Sequence, residues 1–135
     1  MTPLPSVLLI DDDPINNFLN KSLLTRLGIA QHLTVVESGH AALDFLRQHC
    51  QQPTPVCPVL ILLDINMPGM NGLQFLEAYQ QLLPEQRQGV VIVILTTSLH
   101  PRDVRQVEQL GIIDEFLSKP LTADKVSALL HKYFP

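Results

Sequence analysis

Basic residues are scarce in this chain: nine Lys and Arg stand against thirteen Asp and Glu, for a formal net charge of −4. Proteins that grip nucleic acid or an anionic membrane need a concentrated positive footprint, so direct binding to either is not expected. Long apolar runs are missing as well. No run approaches the ~18 residues of a membrane-spanning helix, and the opening "MTPLPS" has neither the basic segment nor the apolar stretch of a secretory signal. A cytoplasmic location is expected. Cysteine is limited to Cys50 and Cys57, in "CQQPTPVC", a spacing that suits neither a redox pair nor half of a usual zinc site. Cytosolic thiols are normally reduced, and both are read as incidental. His32, His40, His49, His100 and His131 are scattered, with no H-x-x-x-H pair, which argues against a histidine-based metal site.

Present instead are five short apolar runs: "VLLI" at 7–10, "LTVV" at 33–36, "VLILL" at 59–63, "VVIVIL" at 90–95 and "IIDEFL" at 112–117. Most are continuous rather than alternating, as in parallel strands covered on both faces. Segments with helical spacing lie between them. The first opens at Pro14 and stops at Gly28; the second follows Ser38, a plausible N-cap. The third runs from Leu73 to Leu83 ahead of Pro84, the fourth from Pro101 to Gly111, and the last follows Thr122. Strand and helix alternating five times predict right-handed crossovers and a doubly wound open α/β sheet. A chain of 135 residues fits one such domain with an adequate core, so residues 1–135 are read as a single unit with no output domain. The Pro-rich stretch at 51–58 reads as a loop into the third strand.

An open parallel sheet binds ligands beyond the carboxyl ends of its strands. After the first strand comes "DDDP", after the third Asp64, after the fourth "TTS", and after the fifth "SKP". Asp13 precedes Pro14 and suits a helix cap, but that role cannot absorb Asp11 and Asp12 too. Like charges ~4 Å apart repel by about 4 kcal/mol at an effective dielectric of 20, so the cluster needs a counter-charge. All-oxygen ligation suits Mg²⁺, which usually completes its shell with water and phosphate oxygens. Lys119 beside the carboxylates, with a hydroxyl from Thr96 or more loosely Thr97 or Ser98, fits an arriving anion.

"LLIDDD" at 8–13, "LLDINMPGMNG" at 62–72, "VILTTS" at 93–98 and "FLSKP" at 116–120 together resemble the receiver domain of two-component response regulators, over nearly the whole chain. The resemblance implies a flavodoxin-like fold: a five-stranded parallel sheet of order 2-1-3-4-5 with five helices. It implies Asp64 as the acceptor of a phosphoryl group from a histidine kinase or histidine phosphotransfer protein. Mg²⁺ would be held by Asp11, Asp12, Asp64 and the main-chain carbonyl of Asn66, and Lys119 would pair with Asp64 and then with the phosphoryl oxygens. Thr96 and Phe116 would form the switch, the Lys119–Pro120 bond would be cis, and Asn66 and Ser98 would modulate the lifetime of the acyl phosphate. Such a protein catalyses only its own phosphorylation and dephosphorylation. Its output is a changed surface for a downstream protein, with the helix 4, strand 5, helix 5 face as the site of partner binding or homodimerisation.

Each residue also has a plainer reading. Thr96 is a β-branched strand end, Lys119 a solvated lysine, Phe116 a core ring, and Gly69 and Gly72 turn residues. Thr97 stands where the family commonly has a smaller residue, and Asn16 and Asn17 lie where a partner kinase could touch. Two rival functions remain. A Mg²⁺-dependent aspartyl-phosphate phosphohydrolase would need similar groups, but its usual signature resembles D-x-D-x-T, where this chain has "DDDPI". A non-phosphorylated interaction scaffold would require an acidic site unable to hold Mg²⁺.

Overall fold

Strand β1 (Leu4–Ile10) leads into α1 (Pro14–Leu27), and the alternation continues through β2 (Ala30–Val36), α2 (Gly39–His49), β3 (Leu60–Asp64), α3 (Gly72–Gln80), β4 (Val91–Thr96), α4 (Pro101–Leu110), β5 (Glu115–Ser118) and α5 (Ala123–Tyr133). This computed structural model describes residues 3–52, 54–65, 67, 69–82, 89–97 and 101–135, the side chains of 101–103 excepted. The strands form one parallel sheet of order β2-β1-β3-β4-β5, the flavodoxin-like arrangement expected.

Continuous apolar strands follow from two cores. Successive side chains of a strand point to opposite faces, and both faces here are covered. Leu8, Ile10, Ile61, Leu63, Ile92 and Ile94 join α2 and α3 in one cluster around Phe75. Val7, Leu9, Leu60, Leu62, Val93 and Leu95 join Leu24 of α1 and Val126, Leu129 and Leu130 of α5 in the other. Polar residues at the helix starts satisfy free N–H groups. Asp13 accepts from Ile15 N, Ser38 from Ala41 N and Thr122 from Lys125 N, while Asn71 and Gln74 form a reciprocal capping box.

Several boundaries move from their sequence positions. β2 begins at Ala30, because Leu4 and Ser6 of β1 pair with Ala30 and His32; a sheet-edge strand needs no apolar residues there. β5 begins only at Glu115, after Ile112 and Ile113, which pack on the α2–α3 side of the sheet. The Asp114 carboxylate accepts from Ile92 N at 2.9 Å, occupying the donor where the ladder would otherwise start. α3 starts at Gly72 and ends at Gln80; residues 83–88 lie outside the described residues.

The reading of Cys50 and Cys57 as incidental thiols is corrected: they form a disulfide, and no cysteine is free. Cys50 caps the C-terminal end of α2. Thr54 Oγ1 donates to His49 O at 2.8 Å, and Cys57 N donates to Thr54 O at 3.2 Å. These bonds fold the loop back until the two Cα atoms are 5.0 Å apart, within bridging range. Spacing alone does not disclose that return.

Candidate phosphoryl-acceptor site

Parallel register brings the acidic segments to one level. Ile10 pairs with Leu63, so Asp11 and Asp64 emerge side by side from β1 and β3. Asp64 in turn faces Leu95, and Thr96 faces Ser118. Carboxylates, hydroxyl and lysine thus reach the same edge from four strands.

Asp11, Asp64 and Thr96 are buried, at 1%, 6% and 1% exposure, and Asp12 is half-buried. One carboxylate oxygen from each of Asp11, Asp12 and Asp64 lies within 4.8 Å of the others. Lys119 Nζ sits 3.0 Å from Asp11 Oδ2 and 3.5 Å from Asp64 Oδ2. Three carboxylates against one ammonium leave the cluster formally negative. The hard, all-oxygen donor set of this cluster fits Mg²⁺.

The segment carrying Lys119 is anchored twice. Lys119 N donates to Thr96 O at 2.8 Å, tying it to the end of β4. Lys125 Nζ, from the first turns of α5, donates to Ser118 O at 2.7 Å and Pro120 O at 2.9 Å. Lys119–Pro120 is cis. Phe116, opposite Ile94, is half-buried against the Phe75 cluster. Thr97 is exposed. Asn66, Pro68 and Ser98 lie outside the described residues.

Sequence reasoning missed the roles of Lys125 and Asn17. Asn17 does not face a partner: it is 6% exposed, and its Nδ2 donates to Asp11 O at 2.7 Å. Asn16 is half-buried. A lysine one turn into the helix after "SKP" was the available signal for Lys125; Asn17 gave none, since a polar residue in a first turn ordinarily faces water.

The described residues thus form an order 2-1-3-4-5 parallel sheet with three carboxylates and a lysine gathered at its carboxyl edge. The model of the response regulator receiver domain matches residues 7–131, and the chain belongs to that family. It is 32% identical over 130 residues to the sensor protein GacS of Pseudomonas syringae pv. syringae, covering 96% of this chain and 13% of that protein. It is also 32% identical to two-component response regulator 24 of Arabidopsis thaliana, covering 94% of this chain and 82% of the relative. A two-component response regulator from Cytophaga hutchinsonii superposes with a TM-score of 0.85 at 35% identity, covering 98% of both chains. The chain thus spans only a small part of the sensor kinases it matches, but most of these shorter regulators. Among the described residues no helix is long and apolar enough to cross a membrane.

Proposed function

We propose that this receiver takes a phosphoryl group onto a carboxylate oxygen of Asp64 from a phosphohistidine on a histidine kinase or histidine phosphotransfer protein. One observation carries the reading: Lys119 Nζ lies within 3.5 Å of Asp64 and 3.0 Å of Asp11, beside Asp12. In the transfer, the Asp64 oxygen forms the new O–P bond as the P–N bond of the donor breaks. The electron pair returns to the imidazole nitrogen. Such a reaction asks mainly for placement and for positive charge on the equatorial oxygens. β3 supplies the placement by delivering Asp64 from a strand buried along its length.

Asp11, Asp12 and Asp64 would hold Mg²⁺, together with the main-chain carbonyl of Asn66. When bound, the ion supplies charge neutralisation for the incoming phosphoryl oxygens. Lys119 moves its ion pair onto those oxygens, and the Thr96 hydroxyl donates to them. Phe116, already packed at the margin of the core, then turns further inward. The α4–β5–α5 face beside it is the output surface, for a downstream protein or a second copy. The protein turns over only its own phosphoryl group and acts on no separate substrate.

The phosphodonor approaches along α1. Ile15 and Phe18 are each 70% exposed and Leu19 57%, and the helix begins directly after Asp13. An apolar helical surface of the partner, presenting its phosphohistidine toward Asp64, would cover them. The placement of Lys119 and the "DDDPI" sequence favour this reading over a phosphohydrolase or an inert scaffold.

Incubation with a small acyl-phosphate donor and Mg²⁺, followed by an intact-mass measurement, tests it. One phosphoryl group added in Mg²⁺, and none when the metal is chelated before the donor is supplied, is the expected result. Unchanged mass in Mg²⁺, or continuous hydrolysis of phosphate esters, would overturn it.

A further inference from the structure

Every polar group of Asp11 has a partner. Its N–H donates to Val36 O at 3.2 Å, its Oδ1 accepts from Asp13 N at 2.9 Å, and its Oδ2 accepts from Lys119 Nζ at 3.0 Å. β2, the following turn and the β5–α5 loop thus hold three of its polar groups. The fourth, the main-chain carbonyl, accepts from the amide of Asn17, one turn into α1, at 2.7 Å. That carbonyl belongs to the peptide joining Asp11 to Asp12. Its direction sets where the Asp12 backbone, and with it the second carboxylate of the cluster, leaves the strand.

Asn17 does this at a cost. It is 6% exposed, and its Oδ1 is a buried acceptor without a partner among the described residues. Leaving a buried polar atom unpaired opposes folding, and a leucine on this face of α1, as at Leu24, would remove that acceptor only by taking the donor from the Asp11 carbonyl. An amide only half satisfied fits a residue kept for its donor.

We infer that Asn17 is a positioning residue for the metal-binding carboxylates: by fixing the Asp11–Asp12 peptide plane it holds Asp12 within reach of the same ion as Asp11 and Asp64. This rests on the reading of the acidic cluster as a Mg²⁺ site. Groups that orient metal ligands without touching the ion typically contribute roughly 10–100-fold in affinity, and Asn17 belongs to that range. Its effect falls on Mg²⁺ binding rather than on the acceptor: at saturating Mg²⁺, phosphoryl incorporation at Asp64 is largely retained.

The test compares Mg²⁺ affinity of the unphosphorylated protein by calorimetry, the melting temperature without metal, and the ¹⁵N shift of the Asp12 amide. The proteins are wild type, Asn17→Leu, Asn17→Ala and Leu24→Ala. Leu24→Ala loosens the same helix face without touching the Asp11 carbonyl. Expected are Mg²⁺ affinity at least about tenfold weaker in both Asn17 variants, a displaced Asp12 resonance, and wild-type affinity in Leu24→Ala despite a lower melting temperature. Asn17→Leu melts close to wild type, because it removes one unpaired acceptor while leaving another; Asn17→Ala keeps the test alive should leucine not fit. Undiminished affinity in the Asn17 variants would overturn the inference. So would an equal loss in Leu24→Ala, which would make Asn17 merely structural. If wild type itself bound no Mg²⁺, the metal-site reading beneath it would fall instead.

Discussion

Lys119 Nζ lies 3.0 Å from Asp11 Oδ2, although the two residues are 108 positions apart in the chain. Both side chains are largely withdrawn from water, at 12% and 2% exposure. Removing one partner of such a pair leaves the other charge uncompensated, which typically costs several kcal/mol. Lys119→Met should destabilise the metal-free protein by about 3 kcal/mol in a denaturant titration. Stability equal to wild type would show that the pair carries no structural weight.

Asp12 is the least buried of the three clustered carboxylates. Asp12→Asn removes one like charge while keeping the shape. It should raise the metal-free melting temperature by a few degrees, on the order of 1 kcal/mol, and weaken Mg²⁺ binding. A lower melting temperature without metal would contradict the charge-cluster account.

Gly72 lets α3 start against the end of β3. A Cβ there would stand 2.6 Å from Ile65 Cα and 3.1 Å from Asp64 O, both backbone atoms that cannot rotate away. Gly72→Ala should cost about 1–3 kcal/mol, as overpacking does, and slow phosphoryl incorporation by shifting Asp64. A wild-type rate and melting curve together would show that this close approach does not position the acceptor.

Lys125 bonds the carbonyls on both sides of Lys119, those of Ser118 and Pro120. In Lys125→Met those carbonyls remain open to water, so the melting temperature should change little. The loosened loop should nevertheless slow phosphoryl incorporation several-fold, which single-turnover labelling would reveal. An unaltered rate would leave Lys125 a surface lysine.

The disulfide lies where α2 ends and the chain enters β3, at the edge of the sheet opposite the carboxylates. By the loop-closure argument, a ring this small should contribute about 2–3 kcal/mol. Cys57→Ser, or reduction of wild type, should lower stability by that order and leave the phosphorylation rate intact. A rate that followed the redox state would mean that the two ends of β3 communicate.

How much of this could be read from the sequence depends on what each residue faces. Strands β1, β3 and β4 are buried on both faces, so their apolar runs located them; β2 lies at the edge, and Gln31 and His32 hid its first half. Asp114 looked like part of the fifth strand until its carboxylate was seen capturing the N–H of Ile92. The site residues were legible because parallel register carries whatever follows each strand to one edge. Asn17, Lys125 and the Cys50–Cys57 bond were not, since each acts through a loop path or helix rotation that local pattern does not encode.

Which carboxylate takes the phosphoryl group can be read directly. After labelling with an acyl-phosphate donor in Mg²⁺, borohydride reduction converts a phosphorylated aspartate to homoserine, and peptide sequencing by mass spectrometry locates it. Homoserine at position 64 in wild type, and none anywhere in Asp64→Asn, is the predicted outcome. Homoserine at Asp11 or Asp12, or persistent labelling of Asp64→Asn, would contradict the assignment of Asp64 as acceptor.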